Sequence, residues 1–431
     1  MGPRGPLAAL ELRASKSIGN FLSSIDRFAH RTNSLSPFAI GLPMANAMET
    51  SDLRIALFSG NYNYTRDGAN QALNRLVGYL LRQGAAVRVF SPMVAEPDFE
   101  PTGELFDVPN IRMPVKGRGE YRMPLGLNAE ARQALEAFRP NMVHVSSPDP
   151  TGHAAVTWAR ERRIPVLASV HTRFETYPRY YNLAFIEPGI EWILRRFYNR
   201  CCALVAPSQS MIDEYKAMGM HSDIGLWTRG VDREIFDPGK RDMEWRRAIG
   251  LADDDVAVAF LGRLVMEKGL DVFADSIAEL RRGQVPHKVL VIGDGPAREW
   301  FERTLPGGIF AGFQTGKDLG RALASADIFF NPSITETFGN VTLEAMASGL
   351  PVIAASATGA SSLVRDGETG RLVPPGKAAL FADAIAPYCT DHALRHAHGA
   401  AGERRSRAYA WDAINQAVVD TYLRIARAKG R

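Results

Sequence analysis

Glu336 and Glu344 are separated by Thr-Phe-Gly-Asn-Val-Thr-Leu, and small residues follow up to Gly349-Leu-Pro351. This spacing predicts one carboxylate at the mouth of a loop and the other two helical turns later. Each can accept hydrogen bonds from a pair of hydroxyls. Gly339, between Phe338 and Asn340, lets the backbone approach a ligand, and the amides of Asn340 and Val341 open a helix whose N-terminus favours phosphate. An ordinary capped helix with solvated glutamates explains the same residues, so the rest of the chain must decide between the two readings.

Two cations supply the next observation. Phe260-Leu-Gly262-Arg263 ends an apolar run, and Lys268-Gly269 follows on the turn into a helix. Arg263 can fork onto phosphate oxygens, and Lys268 supplies a point charge. Fixed cations there stabilise the negative charge that builds up on a departing diphosphate. Gly293-Asp-Gly295-Pro-Ala-Arg298 lacks the third glycine of a dinucleotide fingerprint, so it reads as a tight strand-to-helix turn. Gly308-Ile-Phe310-Ala-Gly312-Phe313 reads as a strand and turn edging a nucleobase pocket.

Earlier in the chain, Leu167-Ala-Ser-Val-His171 sets a histidine just past an apolar run, the end of a parallel strand where catalytic groups collect. Gly68, after Asn61-Tyr-Asn-Tyr-Thr-Arg-Asp, lies on the loop following the first strand, where it would admit a phosphate or an acceptor. Asp253-Asp-Asp255 reads as a solvated turn rather than a metal site. Cys389, His392 and His396 have ligand-like spacing on a helix but lack a fourth ligand. Neither a Gly-x-x-x-x-Gly-Lys-Ser/Thr loop nor a Gly-x-Ser-x-Gly elbow occurs, which argues against P-loop ATPases and α/β-hydrolases.

Ten short β-rich runs alternate with helical stretches, at about 53–58, 86–90, 142–146, 165–170, 203–206, 256–261, 288–292, 308–311, 327–330 and 351–354. Most are continuously apolar, as expected of strands covered on both faces. Alternation with helices predicts two doubly wound parallel sheets, an α/β fold whose ligands bind beyond the carboxyl ends of the strands. The expected domains are 51–232 and 233–407, facing each other across a cleft. A last helix over 408–428 carries an apolar stripe of Trp411, Ile414, Val418, Tyr422 and Ile425 that must pack on something.

At 431 residues the chain exceeds one compact core and suits two domains. A net charge of +4 is too small to argue for nucleic acid but suits anionic ligands or an anionic membrane surface. Three cysteines make no disulfide framework, which favours a reducing cytoplasm. Residues 1–50 are poor in acids, contain Arg4, Arg13, Lys16, Arg27 and Arg31, and lack a secretory apolar core. They read as a basic extension, or as a start assigned upstream of Met44 or Met48, dispensable for chemistry either way.

In this order the motifs resemble retaining glycosyltransferases of family 4, which have the GT-B fold. Gly262-Arg263, Lys268-Gly269, Gly293-Asp-Gly295-Pro, Glu336 with Glu344, Gly349-Leu-Pro351 and Gly230-Val-Asp232 carry the resemblance, over about residues 53–425. It implies that Arg263 and Lys268 bind the donor diphosphate, that Glu336 faces the donor sugar beside Phe338, Gly339 and Asn340, and that Glu344 holds the ribose. It makes His171 the active-site histidine of the first domain, and it implies that the last helix crosses back to that domain. Gly68, Gly262, Gly293, Phe310 and Val341 complete the expected donor site.

Leu226-Trp-Thr-Arg-Gly-Val-Asp232 and His171-Thr-Arg-Phe-Glu-Thr-Tyr177 resemble a lipid-directed branch that includes GDP-mannose-dependent mannosyltransferases and the sulfoquinovosyltransferase of sulfolipid synthesis. The first loop departs from the family, with a Tyr- and Asn-rich stretch and only Gly68 in place of a glycine pair. Residues 173–200 interleave Tyr177, Tyr180, Tyr181, Trp192, Phe197 and Tyr198 with Arg173, Arg179, Arg195, Arg196 and Arg200, a mixture suited to a membrane interface or to a core rimmed by arginines.

The resulting expectation is a retaining, metal-independent transfer of a hexosyl group from a nucleotide diphosphosugar, GDP-mannose first, to a hydroxyl of a lipid or glycolipid at the cytoplasmic membrane face. No cofactor beyond the donor is expected. A UDP-sugar donor, or a nucleotide-sugar epimerase or phosphorylase on the same scaffold, is the alternative. A binding protein that has lost turnover is a third reading, against which Arg263, Lys268, Glu336 and Glu344 together count.

Overall fold

Apolar runs become the inner strands of two parallel sheets. The computed structural model describes residues 48–65, 67–113, 121–171 and 184–429, apart from the side chains of Ala184 and Thr358. The basic extension up to residue 47, with Met44, lies outside the described residues, as do Arg173, Tyr177, Arg179, Tyr180 and Tyr181.

The first part of the chain contributes β1 (Arg54–Phe58), β2 (Ala86–Ser91), β3 (Glu104–Asp107), β4 (Asn110–Arg112), β5 (Arg122–Pro124), β6 (Met142–Val145), β7 (Val166–Ser169), β8 (Ala203–Ala206) and β9 (Ile224–Leu226). Among the described residues these form a seven-stranded sheet in the order β3-β2-β1-β6-β7-β8-β9, with β4 and β5 as a separate antiparallel hairpin. The second part contributes β10 (Ala257–Leu261), β11 (Lys288–Ile292), β12 (Ile309–Gly312), β13 (Ile328–Asn331), β14 (Val352–Ala355) and β15 (Gly370–Val373), ordered β12-β11-β10-β13-β14-β15. In both sheets the order reverses beside the first strand, between β1 and β6 and between β10 and β13. That reversal opens a crevice for ligands at the carboxyl edge.

All ten expected strands are present within a residue or two. The strands added by the structure are the pairs at the margins: β3, β9 and β15 at sheet edges, and the β4–β5 hairpin. Edge strands are covered on fewer sides, so their sequences need not be apolar; in Glu104-Leu-Phe-Asp107 the two end residues are exposed and the middle two only half-buried.

The last helix runs Trp411–Lys429 and buries Ile414, Val418, Val419, Tyr422 and Ile425. They join the cluster built from β1, β2 and the helix Gly68–Arg82, including Leu57, Leu73, Leu76, Val87 and Trp227. Burying each such side chain contributes about 1.5–3 kcal/mol. Arg424 adds a two-pronged ion pair with Asp223, and Arg427 donates to the Met48 carbonyl at 3.0 Å. The chain thus crosses between the two sheets twice, and the crossings touch: Val231 N donates to the Tyr409 carbonyl at 3.0 Å, and a side chain on Gly230 would strike the Trp411 ring.

Candidate active site and family

The second sheet places its cations first. β10 ends at Leu261, Gly262 and Arg263 follow, and Lys268 closes a short 3-10 turn (Met266–Lys268) ahead of the helix Leu270–Arg282. Gly262 and Gly293 pack backbone to backbone, so that a side chain on Gly293 would collide with the Gly262 carbonyl. This approach seats the turn after β11 against the turn after β10. Arg263 is exposed and has no ion pair or side-chain hydrogen bond among the described residues.

After β13 the chain turns through Pro332–Phe338 into the helix Asn340–Ala347. Gly339 has φ 93°, a left-handed conformation that disfavours a side chain, and it caps that helix without a side-chain acceptor. The first-turn amides therefore face the crevice without side-chain partners. Lys268 Nζ donates to Glu336 Oε1 at 2.5 Å, joining the two loops at the point where strand order reverses. The helix starts only at Asn340, so Glu344 lies just over one turn into it rather than two helical turns beyond Glu336 as expected; it is half-buried, and its carboxyl has no hydrogen-bond partner among the described residues. Burial, reinforced by the like charge of Glu336, pushes it up to about 7.

The loops of the first sheet meet this group. A side chain on Gly68, the first residue of the helix after β1, would collide with the Asn340 amide. Thr337 Oγ1 donates to the His171 carbonyl at 3.4 Å. Thus His171, Gly68, Lys268, Glu336, Gly339 and Asn340 converge, although they come from opposite sheets. Phe338 is buried and meets Tyr409 edge-on at 5.9 Å, so it supports the loop from behind. Val341 packs partly against the same apolar cluster.

Phe310 sits differently. Half-buried on β12, its ring packs edge-on against Phe301 at 6.0 Å at the margin of the core. Past the end of β12, Phe313 is 70% exposed instead. Of the two, Phe313 is the ring with a free face at the carboxyl edge.

His171 keeps both ring nitrogens engaged. Arg229 Nη2 donates to Nδ1 at 2.8 Å, so Nδ1 is unprotonated and Nε2 carries the hydrogen, 2.8 Å from Ser169 Oγ. Burial and the Arg229 charge hold the imidazole well below its usual range, so it is neutral. Arg229 is itself buried, donates to the Trp227 and Thr228 carbonyls, and is lowered to about 10 by desolvation. Neighbouring Asp67, the N-cap of the helix Gly68–Arg82, is raised by the same cause, partly countered by backbone donors and Arg229. The sequence carries a trace of Arg229 only in Trp-Thr-Arg-Gly-Val-Asp, where nothing marks the arginine as buried.

Among the described residues no group of three or more His, Cys, Asp or Glu side chains is arranged to hold a metal. Asp253 is paired with Arg247 on the surface. The helix expected to carry Cys389, His392 and His396 breaks at Asp391, which caps a second helix; Cys389 enters the core while the two histidines stack outside.

The comparisons agree with this architecture. Residues 66–235 match the family model "Glycosyltransferase Family 4", and residues 255–391 match "Glycosyl transferases group 1". A GDP-mannose-dependent alpha-mannosyltransferase of Corynebacterium glutamicum is 31% identical over 328 residues, covering 74% of this chain and 76% of that protein. The sulfoquinovosyl transferase of Arabidopsis thaliana is 32% identical over 304 residues, 68% of this chain and 58% of its own. Among solved structures, sucrose-phosphate synthase from Thermosynechococcus elongatus superposes with a TM-score of 0.72 at 21% identity, covering 87% of this chain and 99% of that one. Anabaena HepE in complex with UDP and glucose gives 0.65 at 20% identity, covering 86% and 99%. With two doubly wound sheets, a crossover helix and relatives of this kind, the chain belongs to glycosyltransferase family 4: it is a GT-B hexosyltransferase that uses a nucleotide sugar.

Proposed function

We propose that the chain transfers a mannosyl group from GDP-mannose, with retention and without a metal ion, to a hydroxyl of a lipid or glycolipid at a membrane face. The observation that carries this reading is the Lys268–Glu336 pair between Arg263 and Glu344, whose side chains have no partner among the described residues. Arg263 and Lys268 take the diphosphate, offsetting the charge that grows on it as the bond to the sugar breaks. Glu336 orients the sugar, and Glu344 accepts from the ribose. The acceptor hydroxyl attacks the face the diphosphate leaves and passes its proton to the departing phosphate oxygen, so no protein nucleophile is required.

The GDP-mannose-dependent relatives support the choice of donor. A lipid acceptor draws support from the helix Glu187–Tyr198, which follows β7. Phe185 is 79% exposed and Trp192 60%, with Ile186 and Ile193 also exposed and Arg195 and Arg196 alongside. Spacings of three and four place Gly189, Trp192, Ile193 and Arg196 on one helix face, and Phe185 lies in the 3-10 turn Ala184–Ile186 just before it; together they make an apolar patch with a basic margin suited to an anionic lipid surface. Phe197 and Tyr198 face the core instead. No described helix is long and apolar enough to cross a membrane.

The test is to incubate the protein with GDP-mannose and a polar lipid extract, with and without prolonged chelation, and to read the anomer of the product by NMR. An α-mannolipid formed at an undiminished rate after chelation is expected. A β-product or strict metal dependence would overturn the mechanism. UDP-glucose as the productive donor would overturn the base and sugar, and free epimerised sugar nucleotide would favour the epimerase alternative.

A further inference from the structure

A chain of buried polar side chains runs from the crossover helix to the candidate site. Tyr422 OH lies 2.5 Å from His144 Nδ1, and His144 Nε2 lies 2.8 Å from Ser169 Oγ. Ser169 Oγ accepts from His171 Nε2 at 2.8 Å, and Arg229 closes the far end on Nδ1. Trp227 stands beside the relay, meeting both imidazoles edge-on at 6.1 and 5.4 Å and lying under the Arg229 guanidinium at 5.2 Å.

Packing alone does not call for this. Tyr422, His144 and Ser169 are fully or almost fully buried within otherwise apolar surroundings. Burying two imidazoles and a phenol costs more than filling the space with apolar residues, unless the hydrogen bonds specify an arrangement. Nor does the helix need Tyr422 for docking, since Ile414, Val418, Val419, Ile425 and the Arg424–Asp223 pair hold it. The hydrogen bonds do constrain one thing, the His171 ring. Arg229 sets its tautomer, and Ser169, held in turn by His144 and Tyr422, sets its rotation. The carbonyl of that same residue receives Thr337, next to Glu336.

We propose that Tyr422 and His144 are positioning residues for the transferase reaction, holding His171 through Ser169 so that the crossover helix sets the geometry of the site histidine. This rests on the assignment of His171 to the site. A group misplaced by a fraction of an ångström is lost mainly from the transition state, so the effect belongs in kcat rather than in the donor KM.

Kinetics on the full chain, with GDP-mannose and with UDP-glucose in polar lipid extract, test the relay alongside His NMR, which needs no donor. Tyr422→Phe should lower kcat about tenfold and leave donor KM within about twofold. In a His171→Ala background the same change should cost nothing further, because the two act on one ring. Ser169→Thr, which keeps the hydroxyl, should restore most of what Ser169→Ala loses. In 15N-histidine spectra the His171 Nε2 proton should exchange slowly in the wild type and rapidly in His144→Gln, with melting temperature checking that the variants fold. Undiminished kcat in Tyr422→Phe beside a slow His171→Ala, or an equal tenfold loss in both backgrounds, would overturn the relay alone. Undiminished turnover in His171→Ala would overturn the site assignment and the relay with it. A hydrogen on Nδ1 in place of Nε2 would overturn the relay whatever the donor.

Discussion

Lys268 Nζ donates to Glu336 Oε1 at 2.5 Å across the strand-order reversal of the second sheet, so one hydrogen bond ties the loop after β10 to the loop after β13. An ammonium has three hydrogens, and Glu336 takes one, leaving the others for phosphate oxygens. Both partners are partly exposed, so the pair contributes at most about 1 kcal/mol to the fold. The same cation facing a departing diphosphate is worth about 2–4 kcal/mol of barrier. Lys268→Ala should therefore lose about two to three orders of magnitude in kcat/KM while melting within a few degrees of the wild type. Turnover at the wild-type rate would remove Lys268 from the site.

Glu344 separates stability from binding. Its carboxyl is raised to about 7, so its contribution to folding is present below the unfolded value of 4.5 and is lost as pH rises through 7. Glu344→Gln removes the charge that folding disfavours. It should stabilise the fold more at pH 8 than at pH 5.5, the difference being on the order of 1–2 kcal/mol and read as a larger rise in melting temperature. It should also weaken GDP binding, since an amide accepts poorly from two ribose hydroxyls. A melting difference independent of pH would show that the carboxyl titrates normally.

How much of this was legible beforehand depends on the physical cause of each feature. Buried parallel strands must be apolar along their length, so Val256-Ala-Val-Ala-Phe-Leu261 and its counterparts declare themselves. β9 and β15, covered on one edge only, do not. Gly262, Arg263, Lys268, Glu336 and Glu344 were readable because close backbone approach and charge each demand particular residue types. Arg229 was not, because an arginine in a linker reads as solvated, and only the fold buries it against Trp227 and His171. The relay was beyond reach for a different reason: Tyr422 belongs to an apolar stripe, and nothing local shows that its hydroxyl finds His144 across 278 positions. Phe310 and Phe313 show the finest limit, since the run named the strand but not which ring faces out.

The exposed patch at the helix Glu187–Tyr198 predicts a change confined to membrane binding. Trp192→Asp with Phe185→Asp removes two exposed apolar side chains that support no core, so the melting temperature should stay within about two degrees. Sedimentation with vesicles containing anionic lipid should fall several-fold, with donor binding unchanged. Equal binding of variant and wild type to those vesicles would move the acceptor surface elsewhere.

The two buried histidines should dominate the acid limb of stability. Burial lowers His144 to about 3, and burial with the Arg229 charge holds His171 well below the usual 6.5. Below pH 6.5 the unfolded chain takes up protons that the folded one refuses, so stability falls with pH at up to about 1.4 kcal/mol per unit for each histidine. Glu344 acts in the opposite direction between 4.5 and 7, because there the folded state binds the extra proton. His153, His287 and His398 are lowered as well, by burial first, whereas burial raises Asp67 and Asp149 alongside Glu344; the lowered histidines outnumber the raised carboxyls, so the melting temperature should drop from pH 6.5 to pH 5. Glu344→Gln should steepen that drop, and His144→Gln should flatten it. Parallel melting curves for wild type and His144→Gln across that range would mean that His144 is protonated in the fold, and the hydrogen bonds at its two nitrogens would then have to be redrawn with both as donors.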